Sequence, residues 1–160
     1  MKHSAGILLF RKVEKQFEFF LVHPGGPFFT RKDNGWWTVP KGEIMPHEEP
    51  LQAAIREFKE ETGKLLSGDF RPLQAIVQKG GKRVACWAIE GEIEITSVIS
   101  NTFQLHWPPG SGKKMTFPEI DKAAWFPMTE AREKINERQI SFLEQVIQQN
   151  SAITEGKKRP

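Results

Sequence analysis

Apolar positions along the chain change period several times, and the changes mark the elements. Ser4 to Arg11 and Phe17 to His23 are short apolar runs flanking the charged stretch Lys12 to Gln16, which predicts two strands joined by a hairpin. Pro24 to Gly35 is rich in Gly, Pro, Asp and Asn and reads as an irregular loop, followed by a brief extended piece from Trp36 to Val39. Pro40 to Glu49 is a second loop. Pro50 suits the first turn of a helix because its missing N–H has no partner there in any case. Leu51, Ala54, Ile55 and Phe58 then recur at i, i+3, i+4 and i+7, the period of a helix burying one face, with Gly63 as its stop.

Phe70 to Gln78 and Lys82 to Ile95 predict two strands around Gly80-Gly81. Asn101 to Trp107 predicts another, ended by Pro108-Pro109-Gly110, and Ala123 to Phe126 a last one. Thr129 is the expected cap of a helix, and Ala131, Ile135, Ile140, Phe142, Leu143, Val146 and Ile147 carry one or two helices to about Asn150. Ser151 to Pro160 is polar and basic and is expected to be a loose tail. With no repeat and no linker, residues 1–150 read as one domain of the α/β class, with helices packed on a mixed sheet.

Composition narrows the class further. The chain has 160 residues, 38% hydrophobic and 27% charged, enough for one globular core without staples. The longest apolar runs fall far short of the roughly 20 residues that cross a bilayer, and no apolar leader follows Met1-Lys2-His3-Ser4, so a cytoplasmic protein without a membrane partner is expected. The single cysteine, Cys86, lies in an apolar run and excludes a disulfide framework or a multi-cysteine zinc site. Twenty-three basic residues are diluted by 20 acidic ones, giving a net charge of +3. That balance fits a small anionic substrate better than a nucleic-acid track, and no stable nucleic-acid partner is expected.

The acids cluster on the predicted helix. Glu57, Glu60 and Glu61 stand at i, i+3 and i+4, a spacing at which like charges repel by roughly 0.2–0.5 kcal/mol per pair. A divalent cation reverses that sign, and hard oxygen ligands select Mg²⁺ or Mn²⁺. On the helix alone, a solvated face with pairs such as Arg56 and Glu60 explains the same residues. The surrounding spacing separates the two readings. Gly42 is followed after five residues by Glu48 and after seven more by Arg56-Glu57-Phe58-Lys59-Glu60-Glu61-Thr62-Gly63.

This run resembles the Nudix hydrolase signature, G-x5-E-x7-R-E-U-x-E-E-x-G-U with U a bulky aliphatic, in all seven fixed letters. It departs at the last U, which is Lys64, with aliphatics displaced to Leu65 and Leu66. The resemblance implies a Nudix-type α/β/α sandwich with a mixed central sheet, and hydrolysis of a nucleoside diphosphate linked to another moiety. It further implies that Glu57, Glu60 and Glu61 hold Mg²⁺, that Arg56 braces the carboxylates, and that Glu48 supports the loop. The Lys41 carbonyl is expected to complete the coordination shell beside a closely approaching Gly42. The family often adds a carboxylate before the last strand as metal ligand or general base; Glu119 is the candidate, Asp121 its rival.

Trp36-Trp37-Thr38-Val39-Pro40-Lys41-Gly42 is similar to the W-T-x-P-K-G run of the diadenosine polyphosphate hydrolase and diphosphoinositol-phosphatase branch. In that branch Lys41 would lie beside the phosphates as a point charge. Phe28, Phe29 and Trp36 offer faces for a purine, with core packing as the alternative. His3, His23, His47 and His106 lack ligand spacing and read as structural. Gly110-Ser111-Gly112-Lys113-Lys114 fails the P-loop pattern, and Lys79 to Arg83 reads as a hairpin with solvated flanks. The leading expectation is a small-molecule nucleotide substrate of the diadenosine tetraphosphate kind. Nucleoside triphosphate or ADP-ribose hydrolysis, RNA 5′-end processing and a catalytically silent nucleotide-binding module are the alternatives.

Overall fold

In the two longest strands both faces are apolar, as a sheet covered by helices on each side requires. The computed structural model describes residues 2–158. β1 (His3–Val13) and β2 (Gln16–Pro24) pair antiparallel through a two-residue turn at Glu14 and Lys15, both at positive φ (51° and 70°). Leu8 and Phe10 with Phe19 and Leu21 face one layer; Ala5, Ile7 and Leu9 with Phe20 and Val22 face the other. The first layer is closed by α2 (Met128–Lys134) and α3 (Ile140–Lys158), the second by α1 (Pro50–Thr62).

The sheet is mixed. β6 (Arg83–Glu90) runs parallel to β1, while β9 (Ile120–Pro127) is antiparallel to β2. The predicted strand over Phe70 to Gln78 resolves into two fragments on β6, β4 (Arg71–Pro72) and β5 (Ile76–Val77), since Pro72 cannot donate to a ladder. β6 ends at Glu90 instead of Ile95. Beyond it β7 (Thr102–His106) pairs with β8 (Lys114–Pro118) in a separate two-stranded arm; its second strand lies where no strand was expected.

Two further expectations are corrected. Pro127, not Thr129, is the N-cap of α2 and makes no side-chain cap bond. α3 continues past Asn150 to Lys158, because no proline interrupts it and Gly156 falls only in its last turn; Arg159 and Pro160, the end of the expected tail, lie outside the described residues. No helix among the described residues is long and apolar enough to cross a membrane.

β1 changes neighbours along its length. Its first residues pair with β3 (Lys41–Glu43) and its last with β2, so the two neighbours diverge in between. The Thr38 to Pro40 stretch fills the gap: Thr38 exchanges backbone hydrogen bonds with Val22 at 3.0 and 2.9 Å, and Ile7 donates to the Pro40 carbonyl at 3.1 Å. Gly6 permits the wedge, since a Cβ there would lie 2.7 Å from the Pro40 oxygen. Buried Gln139 locks it from behind, its Oε1 accepting the Val39 N–H at 3.0 Å.

Candidate active site

The wedge delivers Lys41 and Gly42 to the face of α1. That helix begins with Pro50 in its first turn and stops at Gly63, whose left-handed backbone (φ 77°) donates to the Lys59 carbonyl. Its buried residues are Ala53, Ala54, Phe58, Glu61 and Thr62, with Ile55 only half-buried. Glu61 therefore lies on the buried face, three residues from Phe58. Glu57 is also largely covered, its side chain 12% exposed, and Glu60 is the open one at 38%.

Arg56 organises these acids. Its Nε and Nη2 donate to the two Glu48 carboxylate oxygens at 2.8 and 3.0 Å, and its Nη1 donates to Glu57 Oε1 at 2.8 Å and to Glu60 Oε1 at 3.2 Å. Nη2 also donates to the Glu43 carbonyl at 3.0 Å, tying the helix to β3. The guanidinium is raised above its ordinary pKa chiefly by the Glu48 hydrogen bonds, and the Glu48 carboxyl is held low by Arg56 and by the Met45 N–H. A planar five-donor fork is the group that can address three carboxylates and a carbonyl at once.

The Arg56 fork bonds neither Glu61 nor Glu119, and it offsets the burial of Glu57 only in part. Burial pushes the Glu61 carboxyl well above the usual range, and the neighbouring Glu57 charge adds to it; the Lys41 backbone N–H and ammonium oppose the shift. Glu57 is raised by burial despite its bond to Arg56. Glu119, at the β8–β9 junction, is raised by burial and then by the charges of Glu57 and Glu60. Four carboxyls thus share one field. Among the described residues no three acidic or histidine side chains yet converge as a cation cage, since Arg56 draws Glu57 and Glu60 to itself.

Gly42 bears directly on Glu57. A Cβ at this position would fall 2.0 Å from Glu57 Cδ, so the glycine is the space that the carboxylate occupies. Lys41, half-buried, has its pKa brought down to about 8 by burial and then by the charge of Lys82. Lys82 is a site neighbour that sequence reasoning left on the solvated flank of a hairpin. The parallel pairing of β6 with β1 brings it to Lys41, and no local pattern signals such a crossover.

The remaining candidates fall around this centre. Asp121 is taken up by buried His23, whose Nδ1 lies 2.7 Å from Asp121 Oδ1, leaving Glu119 as the acid of that segment turned toward Glu57 and Glu60. Phe28 is 62% exposed, and its ring meets Trp107 of the arm edge-on at 5.4 Å, so it is no core plug. Trp36, 42% exposed, packs on Phe29 at 5.7 Å with the Lys32 ammonium 5.3 Å from its ring centre. Cys86 is buried, its thiol pushed up by burial.

The match that decides the family covers nearly the whole chain: a family model described as the NUDIX domain fits residues 2–146. The chain belongs to the NUDIX family. Among curated relatives, the asymmetrical bis(5′-nucleosyl)-tetraphosphatase of Caenorhabditis elegans is 41% identical over 58 residues, 36% of this chain and 38% of that protein. The Rattus norvegicus protein of the same description is 40% identical over 60 residues, 34% of this chain and 41% of that one. The alignments therefore span about two fifths of these relatives' length. Among solved structures, the C. elegans Ap4A hydrolase binary complex superposes with a TM-score of 0.58 at 23% identity, covering 98% of this chain and 99% of that one. The NUDIX domain of Shewanella oneidensis NrtR with ADP-ribose gives 0.66 at 15% identity over 93% and 88%. Both likenesses establish the NUDIX fold and its mixed sheet.

Proposed function

We propose that this NUDIX protein is a Mg²⁺-dependent pyrophosphohydrolase that cleaves a phosphoanhydride bond in a dinucleoside polyphosphate such as diadenosine tetraphosphate. The observation that carries the reading is the set of mutually repelling carboxyls, buried Glu61 with half-buried Glu57 and Glu119, of which Glu57 fills the space at Gly42. Acids left in that state call for a cation, and an all-oxygen set suits Mg²⁺, or Mn²⁺, better than a softer ion. The sequence likeness to the tetraphosphatases supports the substrate class.

Glu57, Glu60, Glu61 and Glu119, with the Lys41 carbonyl, would hold the metal, which neutralises phosphate charge and lowers the pKa of water. The protein's own share is positioning. Arg56 presents Glu57 and Glu60 from a fixed fork, and Glu48 keeps that fork in place. Lys41 and Lys82 supply positive charge for the polyphosphate chain next to the acids. Glu119, whose carboxyl is raised by burial and by the charges of Glu57 and Glu60, would serve, in place of ligating the metal, as the base that takes a proton from the attacking water. Exposed Phe28 and Trp36 offer faces to a purine.

The test is a nucleotide panel with Mg²⁺, analysed by chromatography, with Glu60→Gln and Glu119→Gln as controls. ATP plus AMP from diadenosine tetraphosphate, lost in Glu60→Gln and lowered at least about tenfold in Glu119→Gln, is the expected result. Diphosphate plus monophosphate from a triphosphate, or AMP plus ribose phosphate from ADP-ribose, would replace the substrate class. Turnover unchanged in Glu60→Gln would refute the site itself.

A further inference from the structure

Glu119 stands where three segments distant in sequence meet. Its N–H donates to the Asn101 carbonyl at 2.9 Å, and the Asn101 N–H donates in turn to the Glu60 carbonyl of α1 at 2.8 Å. On its other side the Glu119 carbonyl accepts the Gly25 N–H at 2.8 Å, at the entrance to the aromatic loop. The contact is close enough that a Cβ on Gly25 would fall 2.0 Å from the Pro118 carbonyl oxygen. A continuous backbone chain therefore links the acidic helix, Glu119 and the loop that carries Phe28 and Trp36.

The ladder between β2 and β9 breaks at the same place. His23 pairs with Lys122 but Pro24 pairs with Ile120, so Asp121 is the extra residue of a bulge. A bulge re-aims side chains, and it holds one direction only if the unpaired residue is fixed. His23 does this. It is 1% exposed, its Nδ1 is 2.7 Å from Asp121 Oδ1, and its Nε2 donates to the Lys32 carbonyl at 2.7 Å. A carbonyl only accepts, so Nε2 is the donor there, and Nδ1 is left to face the Asp121 carboxyl. Trp37 packs edge-on against the ring at 5.4 Å. One imidazole thus fastens the bulge with one nitrogen and the far end of the loop with the other.

We propose that His23 is a positioning residue that aims Glu119 through Asp121 and registers the aromatic loop against it. The inference rests on the reading of Glu119 given above, and the experiment separates the two. Kinetics with diadenosine tetraphosphate and Mg²⁺ are measured for Asp121→Asn, His23→Gln, Glu119→Gln and the doubles combining each of the first two with Glu119→Gln. Amide hydrogen exchange is followed at Gly25 and Glu119.

Asp121→Asn and His23→Gln are each expected to lower kcat about tenfold or more, and to add less than about twofold in the Glu119→Gln background, because both act through that carboxylate. Gly25 and Glu119 amides should exchange at least about tenfold faster in Asp121→Asn, while Leu8 in β1 stays protected. A residue that merely packs would give losses that multiply in the doubles. Should His23→Gln fail to fold, Asp121→Asn, at a partly exposed position, carries the test alone. If Glu119→Gln lowers kcat but folded Asp121→Asn stays within about twofold of the parent, or the losses multiply, the inference is overturned and the reading of Glu119 stands. If Glu119→Gln itself has no effect, both fall.

Discussion

Gly42→Ala separates stability from chemistry at a single methyl group. The added Cβ would lie 2.0 Å from Glu57 Cδ, and ordinary contact begins at 3.4 Å, so the carboxyl must retreat by about 1.4 Å. Glu57 can do so because the clash is with the far end of a flexible side chain, but it then leaves the Arg56 Nη1 that it meets at 2.8 Å. Gly42 does not need positive φ, so alanine is compatible with its backbone and gains about 0.4–1 kcal/mol from reduced unfolded-state entropy, which offsets the lost ion pair in part. A displacement of about 1 Å at a reacting centre costs on the order of a hundredfold in rate. The variant should therefore melt within about 4 °C of the parent, a window of about 1 kcal/mol for a domain of this size, yet hydrolyse, about a hundredfold more slowly, the nucleotide that the parent cleaves. Thermal melting and product chromatography on one preparation check it. Activity within about twofold of the parent would refute the argument that Glu57 needs that space.

Other perturbations test separate parts of the site. Arg56→Lys gives up the fork that meets Glu48, Glu57 and Glu60, and urea titration should show a loss of about 2 kcal/mol together with the loss of turnover. Phe28→Ala removes a side chain that is 62% exposed, so KM should rise about tenfold with Tm unchanged if the ring stacks on a base. The Asp33 carboxyl is held low by its bonds from Lys134 and then from Trp37. A depressed carboxyl stabilises the fold above its unfolded pKa and ceases to as pH falls through the folded one. The Tm gap between the parent and Asp33→Asn should accordingly be present at neutral pH and close as pH is lowered below about 4, as melting across that range would show.

What the sequence revealed was local. The period of Leu51, Ala54 and Phe58, with Pro50 and Gly63 as punctuation, marked the α1 helix, and the spacing from Gly42 to Gly63 marked the acids and Arg56. What it hid depends on contacts between segments far apart. Glu61 looked like a surface acid until packing against β3 buried it. Lys82 reaches Lys41 only through a parallel crossover, and His23 gains its partner Asp121 from a bulge between β2 and β9. The β8 strand escaped notice because Lys114 to Pro118 is short and exposed except at half-buried Phe117, so its pairing with β7 decides its structure.

The central sheet keeps its two apolar layers apart: Phe142, Leu143 and Val146 belong to one, Phe58 and Ala54 to the other. Conservative replacements behind the sheet would then be felt as changes in melting with the acids in front undisturbed. The rear helices form a part of the molecule that can diverge, or be engineered to accept a fusion, at little risk to the reaction. Exceptions are Gln139, which reaches through to Val39, and Lys134, whose ammonium holds Asp33 and whose carbonyl accepts the Trp37 N–H, and any redesign of that layer has to keep them.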